Sequence, residues 1–161
     1  MIGIFAILLT VTACEPNPLS DPTTPSAPNS VNLAKGCAVT VSTAEAANPK
    51  ENLVDGDLDT QWSSEAALED FSVDLGGVKQ VSTIKLYPSY IIDGTISYIL
   101  YCSTNGTDWV KVKDSPSYSM KAPVDKSSPL VLDGLGVSCR YLKVSPSNWP
   151  SYVAAFEFEV Y

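Results

Sequence analysis

The chain has 161 residues, with 18 acidic and 10 basic side chains, four cysteines and no histidine, for a formal charge of −8. That length predicts one domain with tails, and the missing histidine excludes Ser-His-Asp and Cys-His catalysis, histidine metal centres and an imidazole switch near pH 7. A single arginine, Arg140, and scattered lysines exclude a basic nucleic-acid surface, while 17% charged residues and 12 prolines point to a secreted, loop-rich β protein.

Residues 1–13 carry no charged side chain and are mostly apolar. The run is shorter than the roughly 20 residues that span a bilayer and reads as the apolar core of a secretory signal. Val11-Thr12-Ala13-Cys14 resembles the processing site of bacterial lipoproteins, without the usual preceding lysine or arginine. That resemblance implies cleavage before Cys14 and acylation of its thiol and new amine. Several acyl chains make a stable anchor where one is marginal. Residues 14–31 hold five of the twelve prolines among Ser, Thr and Asn. They predict a disordered tether reaching roughly 50 Å at about 3.1 Å per residue.

Residues 32–161 are expected to fold. Val39 and Val41 alternate with polar residues, and Phe71 to Leu75 alternates up to a stop at Gly76-Gly77. Val81 to Tyr87 stops at Pro88. Ile96, Tyr98, Leu100 and Cys102 alternate along a strand that ends at Asn105-Gly106, a strong hairpin dipeptide. Strands around Trp109–Val112, Leu130–Leu132, Tyr141–Val144 and Ala154–Tyr161 follow. The one helical turn falls at Pro49–Val54. About eight short strands predict a two-sheet sandwich or jelly roll.

Several segments, in this order, resemble the coagulation-factor-type C (discoidin) domain, and most of all its bacterial branch, the family 32 carbohydrate-binding modules. They are Asn32 to Gly36, the loop Val54-Asp-Gly-Asp-Leu-Asp-Thr-Gln-Trp62, Asp74-Leu-Gly76, the hairpin Tyr98 to Trp109, Arg140 to Val144, and the closing Glu157 to Tyr161. The resemblance implies an all-β, eight-stranded jelly-roll sandwich of galactose-binding-domain-like type, and no catalysis.

Asp55, Asp57 and Asp59 alternate on a tight loop, where carboxylates repel unless a cation sits among them; oxygen ligands at that density suit Ca2+. An EF-hand fails on Thr60 and Ala66 at its sixth and twelfth positions. The resemblance implies one structural Ca2+, held by the side chains of Asp55 and Glu157, the hydroxyl and carbonyl of Thr60, and the carbonyls of Asn52, Asp57 and Phe156. Asp59 is then a turn residue.

The resemblance implies that Trp62 and Trp109 pack inside, alternation puts Tyr98 inside too, and Phe156 and Phe158 of the last strand are expected in the core. Trp149, between a Pro-Ser-Asn turn and Pro150, is expected as an exposed indole that stacks on a sugar ring. Asn148, Tyr90, Tyr118 and Glu65 are its expected companions, with Glu69 and Asp70 as further acceptors in the loop after Trp62. Galactose-binding members combine histidine, arginine and asparagine with an aromatic ring. This chain has no histidine, and Arg140 is expected to pair with a buried carboxylate instead. Cys37, Cys102 and Cys139 are odd in number. One disulfide, Cys37 with Cys139 for instance, would leave a thiol, and the pairing stays open.

The expected whole is a lipid-anchored protein of the bacterial cell envelope, at the outer membrane or cell surface. It binds glycan without chemistry of its own; the alternative is an adhesion or assembly module that grips a protein partner. Membrane contact is expected through the anchor only.

Overall fold

The computed structural model describes residues 31–161. The signal segment, Cys14 and nearly all of the tether lie outside the described residues. Ten strands form two antiparallel sheets: β1 (Ala38–Val41), β2 (Trp62–Ala67), β3 (Phe71–Val81), β4 (Ile84–Pro88), β5 (Gly94–Ser103), β6 (Val110–Asp114), β7 (Tyr118–Met120), β8 (Leu130–Leu132), β9 (Val137–Asn148) and β10 (Tyr152–Val160). Among the described residues a single 3-10 turn, Lys50–Leu53, is the helical segment. One sheet runs β1-β3-β9-β5-β6, with β7 also paired to β5; the other runs β2-β10-β4-β8. The expected all-β sandwich is therefore present, with two more short strands than the alternation alone marked.

Alternation decides which face each strand buries. Ile96, Tyr98 and Leu100 of β5 point inward and are fully buried. They meet Phe71, Val73 and Leu75 of β3 and Phe158 and Val160 of β10 in one core. At its centre Phe71 packs edge-on against Trp62 at 5.6 Å and against Phe158 at 5.3 Å, the tilted geometry that aromatic pairs prefer.

Two departures from the sequence reading have local causes. Gly76-Gly77 does not end a strand, because β3 continues to Val81. Between Asp74↔Tyr141 and Lys79↔Cys139, β3 has four residues against one of β9. The surplus forms a bulge in which Gly76 takes φ +73° and its N–H donates to the Asp74 carboxylate at 2.9 Å. Trp62 to Ala67, expected as a loop, is a strand despite its serines and alanines. It pairs with β10, and the Ser64 hydroxyl accepts the Val153 N–H at 3.0 Å where that pairing slips.

Asn32 fastens the start of the domain to its end. Its side-chain oxygen accepts the N–H groups of Ala34 and Val160, and the Leu33 N–H donates to the Val160 carbonyl at 2.7 Å. Cys102 and Cys139 are free thiols, so the Cys37–Cys139 pairing is not formed. Cys37 immediately precedes β1, and β3 lies between β1 and the Cys139 strand. Burial, with Cys102 alongside, pushes the Cys139 thiol up to about 12.

Candidate functional site

Two features stand close together on β10 and its neighbours. The first is the acidic loop from Asp55 to Thr60. The Asp55 carboxylate accepts the Asp57 N–H at 2.8 Å and the Thr60 hydroxyl at 2.7 Å. Thr60 also reaches the Asp57 carbonyl at 3.0 Å, and Asp57 accepts the Asp59 N–H at 2.8 Å. Asn52 closes the loop by donating to the Gln61 carbonyl at 2.8 Å. Gly56 is required at its position. It holds φ +81°, a left-handed backbone conformation that L side chains rarely adopt.

Below this loop lies Glu157, 1% exposed. One carboxylate oxygen accepts the Gly56 N–H at 3.0 Å; the other is buried without a partner. Burial first, and the charges of Asp55 and Glu159 with it, push Glu157 up to about 8, against the pull of Gly56 and Lys35. A buried carboxylate with an orphan oxygen, beneath a loop of carboxyl and carbonyl oxygens, fits a hard cation. Asp59 points elsewhere. It is exposed and pairs with Lys126 at 2.9 Å, and the Lys126 ammonium lies over the Phe156 ring at 4.6 Å.

The second feature is a cavity of about 190 Å3 at one end of the sandwich. Gln61 and Ser63, at the start of β2, and Ser89, just after β4, form a polar wall. Tyr90, Ile91 and Ile92, Met120 from β7, and the β9–β10 turn with Trp149, Pro150 and Tyr152 form the rest. The walls have local causes. Gly94 lets Pro150 come in, since a Cβ there would lie 3.0 Å from its ring. The Ser89 N–H donates to the Ala154 carbonyl at 2.9 Å, and its hydroxyl to the Gln61 side-chain oxygen. The pairing of β10 with β2 shifts register between Tyr152 and Ala154, and Tyr152 is 56% exposed. Ile91 stands 92% exposed at the rim.

The cavity gathers some expected residues and leaves others out. Trp149 and Tyr90 both line it. Trp149, expected exposed, is 6% exposed and belongs to the core. Asn148 spends its amide donors on the Thr95 carbonyl and hydroxyl, at 2.8 and 3.1 Å, and does not line the cavity. Tyr118 donates to the Ser128 carbonyl and stays outside it. Glu65 is exposed on β2, not in a loop, and is likewise absent from the walls. Glu69 accepts the Thr43 hydroxyl, and Asp70 accepts the Ser145 hydroxyl.

Arg140 grips Asp74 with two hydrogen bonds, at 2.8 and 2.9 Å, and holds that carboxyl below its usual range. The pair is partly solvent-exposed, where a buried carboxylate was expected. Trp109, expected in the core, is only half-buried, with the Lys143 ammonium 4.9 Å from its ring centre. Gln61, Ser89, Met120 and Ile92 were not singled out as ligand residues. The one signal in the sequence was an apolar Ile91-Ile92 pair between Tyr90 and the Asp93-Gly94 turn.

The F5/8 type C domain profile matches residues 38–158. Among solved structures, the chain is similar to a family 89 glycoside hydrolase from Clostridium perfringens in complex with 2-acetamido-1,2-dideoxynojirimycin. The TM-score is 0.65 and the identity 24%, over 81% of this chain and 14% of the hydrolase. It is also similar to a chitosan-binding module derived from a chitosanase/glucanase of Paenibacillus sp. IK-5, with TM-score 0.61 and 24% identity over 81% of this chain and 98% of the module. A third is the CBM32 of AlyQ in complex with 4,5-unsaturated mannuronic acid, with TM-score 0.60 and 19% identity over 77% and 93%. No curated protein matches the chain.

Proposed function

The chain belongs to the F5/8 type C domain family, and from that premise we propose that it is a non-catalytic carbohydrate-binding protein that holds glycan in the end cavity. The observation that carries this reading is the cavity itself. Aromatic rings of Tyr90, Trp149 and Tyr152 stand beside the Gln61 amide and the hydroxyls of Ser63, Ser89 and Ser151. Rings that cover the apolar face of a sugar, next to neutral donors and acceptors for its hydroxyls, are the two things glycan capture needs. No lining residue is Asp, Glu, Lys or Arg, so the cavity offers no pair of carboxylates for glycoside cleavage. A glycan array probed with the full chain and with Tyr90→Ala tests this. Defined glycans retained by the former and lost by the latter are expected, and a blank array from folded protein contradicts it.

In this reading Ca2+ has a structural role. Asp55, Glu157 and Thr60 would supply side-chain oxygens, and Asn52, Asp57, Thr60 and Phe156 carbonyls. The orphan Glu157 oxygen supports this assignment. A bound cation would pin the loop to β10 and so add its binding energy to the stability of the fold. The proposal extends to lipidation at Cys14, holding the domain to the bacterial envelope through the tether. Intact mass of the protein made in a bacterial host tests it, with added acyl mass expected and an unmodified Cys14 contradicting it.

The adhesion reading draws on the cavity rim. Ile91, Ile92 and Tyr152 expose contiguous apolar surface of the kind that protein partners cover. Under that reading the array is blank while the domain stays folded.

A further inference from the structure

The rim of the end cavity is held from outside the cavity. Residues 89–93 connect β4 to β5, and Ile91 and Ile92 project from that connection, 92% and 46% exposed. A connection with so little burial needs other ties to stay ordered. Its polar tie is Asp93. One carboxylate oxygen accepts the Lys121 ammonium at 2.8 Å, and the other accepts the Ala122 N–H at 2.9 Å. Both donors directly follow Met120, the last residue of β7 and a cavity wall. Gly94 pairs with Met120 at the same place. Asp93 therefore ties the rim to the chain that leaves β7.

That chain is anchored again farther along. The Lys126 ammonium donates to Asp59 of the acidic loop at 2.9 Å and lies 4.6 Å from the centre of the Phe156 ring. A ring face and a carboxylate share the ammonium, a firmer hold than a carboxylate alone. Between the two anchors the backbone is stiffened. Asp125 accepts the Ser127 N–H and hydroxyl, at 2.9 and 2.6 Å, and the Ser128 hydroxyl at 2.7 Å, which closes a local turn. Tyr118 donates to the Ser128 carbonyl and so fastens the turn back to β7. Burial, with Tyr90 and Asp125 near by, pushes the Tyr118 hydroxyl up, so this ring also adjoins the rim.

We propose that residues 121–128 form a strap that couples the acidic loop to the cavity rim. Asp93 is the positioning residue at the rim end, and Lys126 is the anchor at the loop end. Ile91 and Ile92 keep their place only while both ends are tied. The aspartate of each ion pair is solvent-exposed, so single substitutions release the strap without unfolding the sandwich. The strap forms without ligand and goes beyond the carbohydrate reading without resting on it.

Backbone amide relaxation of the full chain, with no ligand added, tests the coupling. In the unsubstituted chain the amides of Ile91, Ile92 and Asp93 have order parameters near the roughly 0.85 of rigid backbone. Asp93→Ala drops those of Ile91 and Ile92 below about 0.6. Lys126→Met keeps the aliphatic stem and removes the charge. It lowers the same order parameters although Lys126 does not line the cavity. In the double variant they fall no further than in Asp93→Ala alone, the non-additivity of two ties on one strap. Lys111→Ala, which breaks the exposed Lys111–Asp114 pair on β6, leaves the rim unchanged. Rim amides already mobile in the unsubstituted chain, rim amides unmoved by Asp93→Ala, or a Lys126→Met effect confined to residues 121–128 overturns the strap. None of those results bears on glycan capture, which the array reads separately.

Discussion

Glu157 and Trp149 are eight residues apart in sequence, and they sit in opposite chemistries. Around Glu157 the chain gathers oxygen atoms and negative charge. Its carboxylates are held by N–H groups and a threonine hydroxyl, and one buried oxygen still lacks a partner. Around Trp149 the chain gathers rings and aliphatic carbon, and the polar groups are neutral. The two regions meet at Gln61. Its carbonyl takes the Asn52 amide from the acidic loop, and its side chain takes the Ser89 hydroxyl at the cavity. One region leaves a buried oxygen without a partner, the other presents rings and neutral polar groups, and Gln61 touches both.

Substitutions can break this contrast, and the largest effect belongs to the cavity. Trp149 is both wall and core, so Trp149→Ala is expected to cost about 3–5 kcal/mol of stability along with binding. Chemical denaturation reads that loss, and an unchanged midpoint would mean the indole is not packed. Next comes the cation. Ca2+ at about 100 times its dissociation constant should add about 2.7 kcal/mol, a rise of roughly 10 °C in melting temperature for a domain of this size. Chelator should remove that increment, Glu157→Gln should abolish it, and glycan affinity should fall with it because Gln61 is anchored by the loop. Identical melting curves with and without chelator would remove the cation from the account.

Tyr90→Ala separates binding from folding. Its ring is only partly buried, so affinity should fall about tenfold, roughly 1.4 kcal/mol, with a smaller loss of stability than Trp149→Ala. Isothermal titration beside thermal melts checks the split. The smallest effect is expected at Asp74. Arg140 holds its carboxyl below the usual 3.8, so the pair stabilises the fold above that pH and the contribution fades as pH falls through the lowered value. For a half-exposed pair this amounts to about 1 kcal/mol or less. Asp74→Asn should flatten the stability curve at acid pH, below the ordinary carboxylate range, and leave both regions working.

Much of the sandwich was legible because alternation is a local signal. Ile96, Tyr98 and Leu100 announced β5, and Asn105-Gly106 announced its turn. β2 escaped because Trp62-Ser-Ser-Glu-Ala-Ala carries little strand propensity; pairing with β10 makes it a strand. The bulge at Gly76-Gly77 looked like an end because a glycine pair says that the backbone turns, not that pairing resumes.

The acidic loop was visible as a cluster of aspartates. The burial of Glu157 beneath it depends on a contact between residues 56 and 157, which no spacing reveals. The cavity was half visible. Tyr90 and Trp149 stood out as aromatic residues in turn-rich segments. Gln61, Ser89 and Met120 reach it from separate strand ends, Pro150 packs close on Gly94, and Trp149 is buried in the core. Such positions follow from tertiary contacts rather than from residue type.

The central claim is that ligand enters between Tyr90, Ile92 and Trp149. The most direct measurement is amide chemical-shift mapping of the full chain titrated with the tightest glycan from the array. The account predicts saturable shifts concentrated at residues 61–63, 89–92 and 149–152. Shifts confined instead to the outer sheet face around Trp109 and Lys143, with the cavity silent, would contradict it.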